Sequence, residues 1–341
     1  MELVMSHRLS LSVTMVFALS FACASFAADL PEKVASDFTK KENQKYTQML
    51  DLNNRGDFEL AQKGFIATLA DPVIKNKNGK TVVDISAGDF TRDKAAPETV
   101  NPSFWRQSQL TSMHGLFKVA DKIYQIRGFD TANMTLIQGK TGWIIVDTLT
   151  FPESAAAGLK LANEKLGKRP IKAVIFTHSH VDHFGGVAGL VTPEEIKSKK
   201  VLLVAPEGFM EEAISENLFA GNAMGRRVTY HAAQGVESSA TGNLGTGLGP
   251  IAGDGLPSLL PPNKLIKKTG EKMNVDGVDI VFQMAPGTEA PAEMLFYFPQ
   301  LKALCLSEDA TSTMHNLYTL RGAKVRSPLV WSTALDTTLD M

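Results

Sequence analysis

The chain has 341 residues, a formal charge of −1 and a sequence pI near 6.7. It is long enough for a large core, and nothing in its charge favours nucleic acid or an anionic membrane surface as a partner. Two cysteines exclude a disulfide framework, and a hydrophobic content of 44% is that of an ordinary globular protein.

His7 and Arg8 form a weakly basic start, and Leu9 to Phe26 run almost continuously apolar or small, without charge. Ser25-Phe26-Ala27 then offers small residues at the −3 and −1 positions of a cleavage site, so residues 1–27 are expected to be a signal peptide. The run is at the short limit for a membrane span and contains several serines, so no stable anchor is expected after cleavage, and the location is periplasmic or secreted. Cys23 would leave with the leader. Cys305, in the apolar run LKALCLS, would remain as a buried thiol rather than a nucleophile.

Residues 28–120 read as an N-terminal extension packing on the catalytic domain. VASDFTKKENQKYTQML has apolar residues at roughly helical spacing, KTVVDISAGDF reads as a short strand, and VNPSFWRQSQL as a Pro-started helix. From residue 121 to 341 the pattern is α/β. DKIYQIRG, ANMTLIQG and TGWIIVDTLT are β-type runs, PESAAAGLKLANEKLG is helical, and KAVIFT is a buried-type strand leading into THSHVDHFGG. KKVLLVAPEG reads as a strand and FMEEAISENLFAGNAMGRR as a helix. Residues 235–262 hold seven glycines and four prolines, which predicts a long loop, either a mobile cover or a structural wrap. Strands resume at VDIVFQMAPG and MLFYFPQLKALCL.

THSHVDHFGG places three of the seven histidines and an aspartate within six positions. In extended backbone His178 and His180 face the same way and can share one metal, while a turn would swing Asp182 and His183 to the other side of the same space. Gly185 and Gly186 let the backbone pass close by. At the carboxyl end of a strand, the cluster suits two metal ions about 3.5–4 Å apart with a bridging water.

The motif resembles the metal-binding motif of the metallo-β-lactamase superfamily, which implies an αββα sandwich and a dinuclear, usually zinc, site. After residue 183 only His231 and His315 remain, and neither lies where that superfamily places its third histidine. PGTEAPAEM, FYFPQLKALCLSEDA and TMHNLYTLRGAKVR, with GFIATLADPVI, VNPSFWRQSQL and GFDTANMTLIQGKTGWIIVDTLT upstream, resemble the alkyl sulfatases of this superfamily. The likeness implies hydrolysis of alkyl sulfate esters of the dodecyl sulfate type by a metal-activated water. Glu289 would join His178 and His180 on the first zinc. Glu308 would bridge both ions, and Asp182 and His183 would bind the second, with Asp182 and Glu308 holding the water. Asn316, Arg321 and Arg326 would grip the sulfate.

The same resemblance implies that the sandwich is incomplete at the C-terminus. In that family a further strand, a loop with one more histidine ligand of the second metal, a helical dimerisation region and a sterol-carrier-like domain follow the helix after VR, whereas this sequence ends VRSPLVWSTALDTTLDM. Two smaller departures are Ser312, where the family usually has His, and Ser327, where it usually has Asp.

Overall fold

A computed structural model of the chain describes residues 34–216, 221–249, 253–313 and 315–341. The expected leader at residues 1–27, with Cys23, lies outside the described residues. The helix Asp37–Met49 opens the described chain, its first turn capped by the Ser36 hydroxyl, which accepts from Thr39 N at 3.1 Å. A short helix Gly56–Gln62 follows, then β1 (Phe65–Ala67), β2 (Val73–Lys75) and β3 (Thr81–Asp84). The helix Pro102–Thr111 starts where the sequence predicts. Proline sits at its first turn, and Asn101 Oδ1 accepts from Ser103 N at 2.9 Å.

β4 (Gly115–Ala120), β5 (Ile123–Arg127), β6 (Met134–Gln138) and β7 (Trp143–Val146) form an antiparallel meander. The helix Pro152–Leu166 then crosses over to β8 (Ile171–Ile175), and β9 (Leu202–Pro206) and β10 (Lys264–Ile266) continue the sheet in parallel. The order of this eight-stranded sheet is β1-β4-β5-β6-β7-β8-β9-β10. Its first two strands precede residue 121, so the change of pattern there does not mark an edge of the sheet. β4 was missed because GLFKVA has no alternation, being buried on both faces at its start and exposed afterwards.

A second, antiparallel sheet comprises β11 (Lys272–Val275), β12 (Val278–Met284), β13 (Met294–Phe298) and β14 (Ala303–Cys305). The period-2 alternation of β-strands sorts the core into layers. Ile144, Val146, Ala173 and Ile175 of the large sheet meet Ile280, Phe282, Met294 and Phe296 of the small one. Ile145 and Val174 point the other way, onto Ala155, Leu161 and Ala162 of the crossover helix and onto Phe184 and Phe209. The helix Pro328–Thr338 covers part of the far face of the small sheet, where Ala334 packs on Ala285 and Leu295. Helix, sheet, sheet, helix is the αββα layering expected. No helix among the described residues is long and apolar enough to cross a membrane.

Of the two readings of residues 235–262, the described part is a structural wrap. Asp254 N donates to Val82 O at 2.8 Å, and the Ser258 hydroxyl donates to Gly185 O at 2.7 Å while accepting from Ala188 N at 3.1 Å. The glycines serve close approach: a Cβ on Gly253 would stand 2.5 Å from Val82 O. Burial pushes the Cys305 thiol up to about 12, which removes it as a nucleophile.

Candidate metal centre

β8 ends at Ile175, and three residues later His178 forms an isolated antiparallel bridge with Glu293, while Met294 N donates to Thr177 O at 3.0 Å. The two sheets are therefore stitched together where the histidines begin. His180 keeps extended backbone and caps the single-turn helix Val181–Phe184, which carries Asp182 and His183. The rings of His178 and His180 lie 4.9 Å apart, and those of His178 and His183 3.9 Å apart.

The turn that returns His183 to His178 depends on the two glycines behind it. A Cβ on Gly186 would lie 1.9 Å from Thr148 O and one on Gly185 2.3 Å from Thr150 O. Gly186 has φ −84°, so the requirement is space rather than backbone freedom. Gly186→Ala is therefore expected to lower stability by about 1–3 kcal/mol through displacement of the 148–150 segment, read as a fall in the chemical-denaturation midpoint.

Glu289, in the turn between β12 and β13, and Glu308, just after β14, complete the cluster. His178 Nε2 lies 3.3 Å from Glu289 Oε2 and 3.8 Å from Glu308 Oε2, and His180 Nδ1 lies 2.7 Å from Glu289 Oε2. On the other side, His183 Nε2 is 3.1 Å from Glu308 Oε2 and 3.5 Å from Asp182 Oδ2. Donor atoms of His178, His180, Glu289 and Glu308 all fall within 4.8 Å of one another, as do those of Asp182, His183 and Glu308. Glu308 is common to both groups.

His178 Nε2 is buried without a hydrogen-bond partner, and Glu289 Oε2 is buried with only the two imidazole nitrogens beside it, neither in good hydrogen-bond alignment. Orphaned, convergent imidazole nitrogen and carboxylate oxygen are the donor set of a divalent metal. The electrostatics agree. Burial, helped by the neighbouring His183, holds the His178 imidazole down at about 4, so it stays neutral as a metal ligand must. Burial also pulls His180 down, but Glu289 and Glu216 outweigh it and raise the ring to about 10. For His183, burial is likewise outweighed, by Asp182 and Asp147, and its pKa lies well above the usual histidine range. Burial pushes Glu308 up, yet His183 and His315 bring it down to about 2. The carboxylates thus gather protons onto the imidazoles beside them, and a divalent ion would replace those protons and release them.

Several participants carry little sequence signal. Asp147, directly after β7, accepts from Thr177 N through Oδ1 at 2.8 Å and from the Thr177 hydroxyl through Oδ2 at 2.8 Å, and the same Oδ2 lies 2.7 Å from His183 Nδ1. The Thr177 oxygen is in turn 2.9 Å from His178 Nδ1. One carboxylate thereby orients an imidazole in each group, a support that typically accounts for 10- to 100-fold in metal affinity. Asp147→Asn is expected to weaken metal binding by about that factor, measured by competition with a chromogenic chelator. An acid immediately after the wholly buried run WIIV was the one available clue. Its φ of +58° marks a backbone held in place by these contacts.

Glu216 lies 3.3 Å from His180 Nε2 and 3.0 Å from Arg321 Nη1. His315, which the sequence left without a role, places Nε2 3.3 Å from both Glu289 Oε1 and Glu308 Oε1. Behind Glu289 stand two buried acids. Asp309 Oδ1 accepts from Glu289 N at 3.2 Å, and Glu293 Oε2 accepts from the Thr288 hydroxyl at 2.9 Å and Ala290 N at 2.7 Å. Burial raises Glu293 well above the carboxylate range and Asp309 to about 7.

The expected sulfate-binding trio divides. Asn316 is exposed, and Arg321 is half-buried on Glu216. Arg326 departs from the expectation: its side chain is 4% exposed, its Nη2 and Nε donate to the Glu289 carboxylate and main-chain oxygen, and Nη1 donates to Asn316 Oδ1 at 3.4 Å. Its donors are engaged in holding a candidate ligand, because the carboxylate and the guanidinium fork match each other in geometry and charge. Ser327 caps the last helix, accepting from Val330 N at 3.3 Å, and Ser312 is exposed.

A layered αββα frame with a histidine and carboxylate cluster at the end of one strand defines a class, and the metallo-β-lactamase superfamily model matches residues 127–300, more than half of the chain. The chain belongs to the metallo-β-lactamase superfamily. Within it, the chain is 45% identical over 335 residues to a linear primary-alkylsulfatase of a Pseudomonas species, covering 98% of this chain and 50% of that protein. It is 42% identical to an (R)-specific secondary-alkylsulfatase, also from a Pseudomonas species, covering 98% and 50%. The solved structure of a stereoselective inverting sec-alkylsulfatase from Pseudomonas superposes with a TM-score of 0.87 at 44% identity, over 91% of this chain and 49% of the other. The chain therefore spans about half the length of the curated relatives it matches.

Proposed function

We propose that this chain carries the metal-binding part of a hydrolase that converts alkyl sulfate esters to alcohol and sulfate. The observation that carries the reading is the carboxylate-rich donor set, in which Glu289 stands with His178 and His180, and Glu308 links that group to Asp182 and His183. The likeness to alkylsulfatases over 98% of the chain supports the substrate class. Two zinc ions fit the two groups of donors, since zinc takes imidazole nitrogen and carboxylate oxygen. When bound, they supply a water acidic enough to act as nucleophile near neutral pH.

The residues have separable tasks in this reading. Asp182 and Glu308 hold the attacking water as acceptors, His178 and His183 are kept in their ligating orientation by Thr177 and Asp147, His180 is held through its far nitrogen by Glu216, and Arg326 fixes Glu289. Asn316 and Arg321 bind the sulfate head as a neutral donor and a permanent cation, a pairing suited to a singly charged oxyanion. Arg321 would exchange its contact with Glu216 for the anion. Export to the periplasm or the medium is part of the proposal and rests on the leader expected at residues 1–27.

Sulfate release from dodecyl sulfate, run beside nitrocefin and a thioester, tests the reading. Metal-dependent release of sulfate, with the other two substrates untouched, is the expected result. Hydrolysis of nitrocefin or the thioester with dodecyl sulfate left intact would overturn it. Arg321→Met is expected to raise KM for dodecyl sulfate about 10- to 100-fold, the range of one charge-assisted contact, with metal content unchanged.

A further inference from the structure

A second cavity, of about 820 Å³, opens at the β1 edge of the large sheet, among the helices Gly56–Gln62 and Pro102–Thr111, and shares no residue with the metal centre. Its volume falls within the range of small-molecule sites. Four cationic side chains line it, Arg55, Arg92, Lys94 and Arg106, against a single acid, Asp93. Arg92 pairs with Asp89 and Arg106 with Asp57, whereas Arg55 and Lys94 enter no ion pair among the described residues.

The walls are aromatic. Phe65 and Phe117 meet edge to face with ring centroids 5.4 Å apart, and Phe65 is half exposed. The Arg55 guanidinium lies 3.7 Å over the Phe58 ring, held by the ring's negative face, and its edge donors meet no acceptor among the described residues. Trp105 lines the same cavity and donates Nε1–H to Lys94 O at 2.9 Å, which ties the indole to the backbone that carries the lysine. Two further polar atoms among the lining residues, Arg106 Nε and His114 Nε2, are buried without a hydrogen-bond partner. The acid nearest His114 Nε2, Asp89, is 3.8 Å away.

Apolar rings beside unpaired cations are complementary to a molecule with the opposite halves. We propose that this cavity is a second binding site, for an amphipathic organic anion whose apolar body lies on the exposed Phe65 ring, backed by the buried Phe117 and Trp105, and whose head is met by Arg55 and Lys94. A free carboxylate and a sulfate or sulfonate share that chemistry. The site is independent of the proposed hydrolysis.

The chain contains three tryptophans, and their indole N–H signals separate the two sites in a ¹H–¹⁵N spectrum. Trp105 reports the cavity, and Trp331, whose Nε1–H donates to Asp309 O at 2.9 Å, reports the metal centre. Trp143, buried against Asn163, is the control. Decane sulfonate and decanoate, each titrated below its critical micelle concentration, are expected to move the Trp105 signal to saturation. The shift should persist in the His178→Ala, His180→Ala double variant. In Arg55→Gln with Lys94→Gln it should need about tenfold more ligand, with an unchanged melting temperature showing that the fold is intact. The tighter of the two ligands identifies the head group. A Trp105 signal that stays still, an unchanged affinity in the double glutamine variant, or equal saturation by uncharged decanol would each overturn the proposal.

Discussion

Replacing His178 and His180 together by alanine is expected to abolish tight divalent-metal binding. Both rings point at Glu289 Oε2, from 3.3 Å and 2.7 Å, and they supply the two nitrogens of the group that also holds Glu308. Without them the first group retains two carboxylates, and apparent zinc affinity is expected to fall by at least about 1000-fold, since structural zinc binding of about 10–16 kcal/mol is shared among only a few ligands. Equilibrium dialysis followed by elemental analysis reads the change directly. Metal content equal to that of the unsubstituted chain would show that the cluster is a buried ion-pair network. The fold is expected to survive, because the β7 to β9 core beneath the cluster is wholly apolar.

Arg326→Met is expected to produce the largest loss of stability. Arg326 and Glu289 have 4% and 2% side-chain exposure, and breaking a pair so buried costs about 3–5 kcal/mol, because the carboxylate loses its one permanent cation and keeps only the His180 and His315 imidazoles. A second consequence separates this account from a purely structural one. A bound cation would neutralise Glu289 from the Oε2 side, so the loss measured with zinc present is expected to be clearly smaller than in the presence of a chelator. Equal losses in both conditions would mean that Glu289 does not bind the metal. Arg326→Lys is not a rescue, because an ammonium cannot meet the carboxylate and the main-chain oxygen of Glu289 with one fixed fork.

How much of this was legible depended on whether a residue's role was local. THSHVDHFGG could be read from spacing, because alternation in extended backbone and a single helical turn set its geometry within six residues. The layers were legible for the same reason, in TGWIIVDTLT, KAVIFT and VDIVFQMAPG. Glu289 and Glu308 were named through likeness to a family, since a lone acid after a turn has no periodicity to mark it. Asp147 and Glu216 escape because each lies 36 residues from its imidazole partner, His183 and His180, while His315, close to Glu308 in the chain, sits in an irregular segment with no periodicity to mark it. Arg326 reads from the sequence as a substrate contact because its charge is visible there and its burial is not. β4 and β1 were missed because an edge built from short, unevenly buried segments leaves no alternation to read.

An anomalous difference map at the zinc edge, from crystals of this chain grown with zinc, locates the metal centre directly. A peak is expected within the space bounded by His178 Nε2, His180 Nδ1 and Glu289 Oε2, with any second peak on the Asp182, His183 and Glu308 side. Zinc absent from both positions while bound elsewhere on the chain would contradict it.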